Sequence, residues 1–171
     1  MKILAYSDLH RSVKFTHQIV NAAREADLVI GAGDYATKQE GLSEILSLLK
    51  AIRTPTFLVP GNHEDCADLR AACEDWPNAQ VLHGEVARFK GLNIFGLGYE
   101  VPQSTDAVWN RFMSEEQAAG VLEGMSESHK SCEILVTQSP PYVIADRQAD
   151  GRHEGSNCLV KTLEADDKQD R

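Results

Sequence analysis

The chain has 171 residues, the size of a single domain, and 42% of them are hydrophobic. Its formal net charge of −9 argues against a nucleic-acid backbone or an anionic membrane as the main partner. The charge does not exclude a small phosphate substrate, because a bound metal ion would reverse the sign of the field locally. The first residues do not resemble a signal peptide, and no apolar run approaches a membrane span. We therefore expect a cytoplasmic protein.

The first half of the chain alternates between strand and helix patterns. Apolar runs predict parallel, buried strands at Lys2–Ser7, Leu28–Gly31 and Thr56–Val59. A helix is predicted over about Ser12–Glu25, its apolar positions being Phe15, Ile19, Ala22, Ala23 and Ala26. A second helix is marked by Leu42, Ile45, Leu46, Leu49 and Ile52, and a third is expected over about Asp65–Cys73. This order requires parallel strands joined by right-handed crossovers.

The rhythm changes in the second half. Short strands joined by tight turns predict antiparallel pairing, at Gln80–Leu82, Glu85–Phe89 and Leu92–Leu97. Tyr99–Asn110 is expected to be a surface loop near the site. Ser114 and Gln117 have the capping-box spacing and open a helix to about Met125. A further buried strand is predicted at Cys132–Thr137. Ser156 is expected to cap a last helix that fades into the acidic stretch 164–171.

Polar side chains follow three of these strands directly. Asp8 and His10 come after the first strand, and Asp34 follows the second. Asn62 and His63 follow the third, after the Pro60-Gly61 breaker. In open α/β sheets, ligands bind at the carboxyl ends of the strands. Carboxylate, imidazole and amide-oxygen groups suit Mn, Fe, Zn or Ni. Each residue alone could be an incidental loop residue, but the set together favours a metal site.

The order of these groups closely resembles the calcineurin-like metallophosphoesterases. The resemblance rests on Asp8-x-His10, Gly33-Asp34, Gly61-Asn62-His63-Glu64 and a strand leading into Thr137–Pro141. It implies an α/β fold, with a two-sheet β-sandwich of mixed strands flanked by helices. The implied activity is the hydrolysis of a phosphomonoester or phosphodiester by two divalent metal ions.

The resemblance also implies a role for each matching residue. Asp8 and His10 would bind the first metal ion, Asp34 would bridge both, and Asn62 would bind the second. His63 would face the phosphate as the catalytic residue. Two such ions in the family activate water and stabilise an in-line displacement at phosphorus.

The sequence departs from the family pattern in two places. Gln138 stands where the family has a histidine, and it offers the second metal only a neutral amide oxygen. The Gly-His-x-His motif that ends the family's ligand set is absent from these 171 residues, so the domain is expected to be C-terminally truncated relative to the family. We therefore expect impaired metal binding and hydrolysis. A degenerate member that serves as a binding or scaffold protein remains the alternative.

Two further expectations concern partners. His153, in a His-x-Gly-Ser run found in some family members, and Arg152 could contact the substrate, although residues of this kind in loops are more often simply solvated. The missing strands would leave a strand edge exposed beside apolar side chains. Such edges tend to pair with another chain, which predicts a homo-oligomer.

Overall fold

The computed structural model describes residues 1–128 and 132–169. Its first sheet has four parallel strands in the order β1-β2-β3-β4. They are β1 Ile3–Tyr6, β2 Leu28–Ala32, β3 Thr56–Val59 and β4 Ala79–Val81. The connections between them contain α1 Val13–Ala22 with a 3-10 turn at Ala23–Glu25, α2 Leu42–Leu49 and α3 Cys66–Cys73. The predicted strand–helix alternation is confirmed.

The second sheet has three strands in the order β5-β6-β7. They are β5 Glu85–Phe89, β6 Leu92–Leu97 and β7 Ile134–Thr137. β5 and β6 are antiparallel, as their short connecting turn predicts, whereas β6 and β7 are parallel. Two further helices are α4 Glu115–Ser128 and α5 Asn157–Gln169. The α/β sandwich of two sheets flanked by helices is therefore confirmed.

The two faces of each sheet bury different cores because successive strand side chains point to opposite sides. In the first sheet, Val29 and Leu58 pack with the helices α1 to α3. Their neighbours Leu28 and Phe57 pack against the second sheet. The other face of the second sheet packs on α4 and α5. The strands are thus held between two layers of helix, with their carboxyl ends free to carry a site.

Several helix starts follow the sequence signals. The Ser12 hydroxyl accepts from the Phe15 N–H at the start of α1. Ser114 and Gln117 form the predicted reciprocal pair at the start of α4, with distances of 2.9 and 3.1 Å. The Ser156 hydroxyl accepts from the Leu159 N–H at the start of α5. Local capping chemistry therefore fixes where these helices begin.

Three expectations about the elements were wrong. The strand at 79–81 pairs in parallel with β3 instead of joining the antiparallel group, because α3 carries the chain back to the first sheet. Phe15 is 54% exposed, and the buried face of α1 contains Thr16. The last helix continues to Gln169, in a stretch rich in good helix formers, whereas residues 170–171 lie outside the described residues.

One side of the sandwich is partly open. β1 ends the first sheet and β7 ends the second, so each has one edge without a partner strand in the described part of the chain. β7 lies near β2 rather than β1. As a result Ile3 is 37% exposed, and only Tyr6 of β1 is buried, so the prediction of a buried first strand was wrong. Within the described residues, every helix is too short or too polar to span a bilayer.

Candidate metal centre

The loops after β1, β2 and β3 are joined by backbone hydrogen bonds. The Asp8 N–H donates to the Gly33 carbonyl at 3.1 Å, and the His10 N–H donates to the Asp34 carbonyl at 2.9 Å. Asp8, His10 and Asp34 all have positive φ angles, of 56°, 42° and 57°. Asp and His adopt this left-handed region more readily than most residues. The sharp turns bring the side chains of three neighbouring strand ends together.

Three of the predicted ligands meet at this edge. The His10 Nε2 lies 3.6 Å from an Asp8 oxygen and 3.6 Å from an Asp34 oxygen. Two ligands that share one ion, each about 2.0–2.2 Å from it, lie about 3–3.5 Å apart. The His10 Nδ1 faces the Ala36 carbonyl at 3.2 Å, and a hydrogen bond there leaves Nε2 free to bind. The His10 and Asp34 side chains therefore fit a divalent cation, and Asp8 lies within the same distance of His10.

Asn62 approaches the same carboxylate from the third strand end. Its side-chain NH2 donates to the Asn110 Oδ1 at 2.9 Å. Its oxygen then lies 3.2 Å from both carboxylate oxygens of Asp34. In this orientation the three oxygens have no hydrogen between them, a contact that either a cation or a turn of the Asn62 amide would relieve. This arrangement fits a second ion between Asp34 and Asn62.

Gln138 also reaches this edge. Its Oε1 is buried and has no hydrogen-bond partner among the described residues. That oxygen lies so close to Gly33 that a Cβ on this glycine would overlap it. Buried acceptors are normally paired, so an unpaired one beside Gly33, the residue before Asp34, fits a cation at this place. The position predicted for Gln138 is consistent with a ligand for the second ion.

His63 lies beside the carboxylate cluster. Its Nδ1 accepts from the Lys38 N–H at 2.8 Å. Its ring stacks on Trp109 with centroids 4.4 Å apart and contacts His10 edge to face at 4.8 Å. One potential ligand atom from each of His10, Asp34 and His63 lies within 4.8 Å of the others. His63 is thus oriented by contacts on two sides while its Nε2 remains available.

Glu64 links the loops from beneath the site, a role that sequence reasoning missed. It is 1% exposed. Its carboxylate accepts three backbone N–H groups, from Asp34 at 2.8 Å, Ala36 at 3.0 Å and Gly61 at 2.6 Å. Burial raises the pKa of Glu64 to about 7, although the donors from Gly61 and Ala36 lower it. Its place beside His63 in the motif was the only signal for this role.

The electrostatics of the site centre on Asp34. Burial raises the pKa of its carboxyl to about 6, even though the His63 N–H and the His10 ring act to lower it. Burial likewise lowers the pKa of the His63 imidazole. Both shifts reflect the cost of a charge away from water. A divalent cation would offset that cost for Asp34, because it favours the ionised carboxylate.

The predicted substrate-binding residues lie in the loop before α5. The His153 Nδ1 is 2.5 Å from an Asp146 oxygen, and the other Asp146 oxygen accepts from the Val143 and Gly155 N–H groups. Arg152 is paired with Asp150 at 2.6 Å. No hydrogen bond or ion pair within the described residues joins either side chain to the carboxylate cluster. Their contact with a substrate stays a prediction.

A family model described as calcineurin-like phosphoesterase matches residues 1–168. The chain belongs to the calcineurin-like phosphoesterase family. Members of this family are metal-dependent phosphoesterases with two metal ions, which agrees with the donor set at the strand ends. The resemblance carried by the motifs is therefore confirmed. The match indicates metal-dependent phosphoester hydrolysis in general, and it names neither metal nor substrate.

Solved structures share the fold of this calcineurin-like phosphoesterase. One aligns with 96% of this chain and 79% of its own, at a TM-score of 0.78 and 16% identity. TT1561 of Thermus thermophilus aligns with 96% of this chain and 77% of its own, at a TM-score of 0.77 and 17% identity. Comparison with curated proteins gives no match.

Proposed function

We propose that this chain hydrolyses a phosphomonoester or phosphodiester at a centre for two divalent metal ions. The observation that carries the proposal is the convergence of uncompensated oxygens at the strand ends. The Asn62 amide oxygen faces the Asp34 carboxylate, and the buried Gln138 amide oxygen lies beside Gly33 without a hydrogen-bond donor among the described residues. Such an arrangement is unfavourable without a cation and favourable with one. The family membership supplies the class of reaction.

The side chains divide between two positions. Asp8, His10 and Asp34 would hold the first ion, and Asp34, Asn62 and Gln138 would hold the second. Oxygen and imidazole donors suit Mn, Fe, Zn or Ni. When bound, two such ions supply a water-derived nucleophile at neutral pH and balance charge on the phosphoryl oxygens. Asp34 would be the ligand common to both ions, because its carboxylate faces both the His10 nitrogen and the Asn62 oxygen.

His63 is the proposed catalytic side chain. Because its Nδ1 accepts from the Lys38 N–H, the neutral ring carries its proton on Nε2. That nitrogen can donate a hydrogen bond to a phosphoryl oxygen or to the leaving oxygen, where charge develops. The Trp109 ring stacked on the imidazole holds its plane fixed. His63 thus acts as an oriented hydrogen-bond donor.

His153 and Arg152 are the proposed substrate contacts. The Asp146 carboxylate orients the His153 ring, leaving Nε2 free to meet a phosphate or its ester group. Arg152 is 72% exposed at its side chain, and a phosphate would replace Glu154, which lies 3.7 Å from its Nη1, while Asp150 keeps its contact with Nε. We expect a small phosphate ester as substrate, and a cytoplasmic location.

A non-catalytic binding protein of the same fold is the second candidate. Gln138 favours it, because an amide oxygen is a weaker ligand for a transition metal than an imidazole. Such a protein would bind one ion and a phosphate compound without turning it over. Metal stoichiometry together with hydrolysis separates the two candidates.

The test is hydrolysis of p-nitrophenyl phosphate and bis(p-nitrophenyl) phosphate with and without added Mn²⁺. We expect slow hydrolysis that depends on the added ion and is abolished by His63→Ala. His17→Ala is the matched control, because His17 is an exposed histidine on α1, and it should leave the rate unchanged. Equal rates in both variants would assign the activity to another source. Metal uptake without hydrolysis of either ester would favour the binding protein.

A further inference from the structure

Asn110 is a buried residue at the end of the long loop between β6 and α4, and it contacts a proposed metal ligand. We propose that Asn110 is a positioning residue that fixes the amide orientation of Asn62, so that the Asn62 oxygen and not its NH2 faces the second metal ion. The inference rests on the proposed two-ion function. It concerns an orientation that no ligand motif encodes.

A chain of hydrogen bonds sets the orientation. The Asn110 NH2 donates to the Glu100 carboxylate at 2.8 Å and to the Thr105 carbonyl at 3.2 Å. Both partners are acceptors only, so the Asn110 oxygen must point the other way. That oxygen accepts from the Asn62 NH2 at 2.9 Å. The Asn62 oxygen is thereby directed at the Asp34 carboxylate, 3.2 Å from each of its oxygens.

The opposite orientation competes in the absence of a cation. Turning the Asn62 amide over would let its NH2 donate to both Asp34 oxygens at 3.2 Å. It would also place the Asn62 oxygen 2.9 Å from the Asn110 oxygen, a contact with no hydrogen between them. Turning Asn110 over as well would set its oxygen against the Glu100 carboxylate. The network therefore disfavours the one arrangement in which Asn62 blocks the ion with its NH2.

Asn110 is the buried centre of this network, and its partners are anchored by further hydrogen bonds. Asn110 is 5% exposed. Glu100 is itself held by the Ser104 N–H at 3.0 Å and the Ser104 hydroxyl at 2.6 Å. The Arg111 N–H donates to the Asn62 carbonyl at 3.0 Å, which ties the loop to the third strand end. Because low exposure keeps water from replacing these bonds, Asn110 is placed to fix the amide orientation before an ion arrives.

The test counts Mn²⁺ ions bound by the full chain, with free Mn²⁺ measured by electron paramagnetic resonance. Asn110→Leu removes the acceptor while roughly keeping the volume. We expect it to lower the affinity for the second ion by about 10–100-fold, the range typical for residues that orient metal ligands. The affinity for the first ion should be unchanged. Gln103→Leu is the matched control, since Gln103 is an exposed amide of the same loop, and it should bind both ions as the native chain does.

An Asn62→Asp background separates orientation from general damage. A carboxylate has no donor end, so its orientation needs no neighbour. Adding Asn110→Leu in this background should change the second-ion affinity by less than about threefold, whereas general damage would lower it as much as in the native background. If Asn110→Leu fails to fold, Asn110→Ala carries the same expectations. A water molecule that fills the space can donate as well as accept, so it would not fix the orientation of the Asn62 amide.

The outcomes distinguish the inference from the function it rests on. Two ions in the native chain and an unchanged second ion in Asn110→Leu would overturn the role of Asn110 alone. Equal losses in the native and Asn62→Asp backgrounds would do the same. A native chain that takes up only one ion at saturating Mn²⁺ would overturn the proposed two-ion centre, and the inference with it.

Discussion

The two halves of the candidate metal centre are held in different ways. The half formed by Asp8 and His10 follows the edge strand β1, and these side chains are 58% and 40% exposed. The half formed by Asn62 and Gln138 is less exposed. Asn110 binds the Asn62 amide there, and the Gln138 Oε1 is buried. The charged or basic donors thus lie on the open half, and the neutral amide donors lie on the braced half.

The difference follows from the chemistry of the ligands. A carboxylate accepts on every side, and the His10 ring needs only one hydrogen bond to free its other nitrogen. An amide has a donor end and an acceptor end of nearly the same shape, so the wrong end can face the ion. A site that uses amides therefore needs neighbours that fix their orientation. Mutation can test this contrast, and Asp34, which both halves share, is the most sensitive position.

Asp34→Asn should have the largest effect, because it removes the carboxylate that faces both halves. We expect the loss of the second ion and a reduction of at least about 100-fold in the affinity for the first, with no remaining hydrolysis. Elemental analysis after dialysis measures the ions. Asp106→Asn, an exposed carboxylate of the loop between β6 and α4, is the control. Two ions retained in Asp34→Asn would show that Asp34 does not bridge.

Gln138→His should strengthen the braced half. An imidazole is a better ligand for a transition metal than an amide oxygen, so we expect the affinity for the second ion to rise by about tenfold or more. Isothermal titration with Mn²⁺ or Zn²⁺ measures the change. Turnover should rise less than affinity does. A weaker second ion in this variant would mean that Gln138 is not a ligand.

Metal affinity should depend on pH through Asp34, whose pKa is raised to about 6. Below this value the carboxyl holds a proton that an ion must displace, and above it the carboxylate is free. Asp34 alone should therefore make binding about tenfold weaker at pH 5 than at pH 7, with a plateau above neutrality. Mn²⁺ titrations across this range test the sign. Tighter binding at pH 5 would contradict it.

Glu64→Gln should weaken the hydrogen bonds by which the Glu64 side chain joins the loops after β2 and β3. The glutamine oxygen can accept two of the three N–H groups, but its NH2 would face a backbone donor. We expect a loss of about 1–3 kcal/mol in the free energy of unfolding, and a lower Tm by roughly 2–4 °C for each kcal/mol. Glu44→Gln, an exposed change on α2, is the control. Equal Tm values for the two variants would remove the role assigned to Glu64.

The smallest expected effect concerns association of the chain through the exposed edges of β1 and β7. We propose that a second copy of the chain pairs with the free edges of β1 and β7, and so shields the Asp8 half from solvent. Light scattering coupled to size exclusion should then show a dimer or higher oligomer at tens of micromolar. Ile3→Lys, which adds a charge on the β1 edge, should shift it toward monomer. A native monomer under these conditions would contradict the proposal.

The sequence by itself determined the order of elements and the residues at the strand ends. Strand periodicity, capping residues and the Pro60-Gly61 turn are local signals, because they depend on neighbours within a few residues. The parallel strands then place Asp8, His10, Asp34 and Asn62 at one edge. That convergence needed only the rule that ligands gather at the carboxyl ends of parallel strands.

Only the tertiary structure decided which groups support that edge. The Asn62–Asn110 bond joins residues 48 apart in the chain, and the Glu64 bonds to Asp34 and Ala36 join residues 30 and 28 apart. No local pattern encodes such pairs, because they arise from the packing of loops that lie far apart in the chain. The exposure of β1 is also a long-range feature that no local pattern encodes, since it depends on which strand of the second sheet lies opposite β1. Local sequence therefore set the ligands, and long-range packing set their orientation.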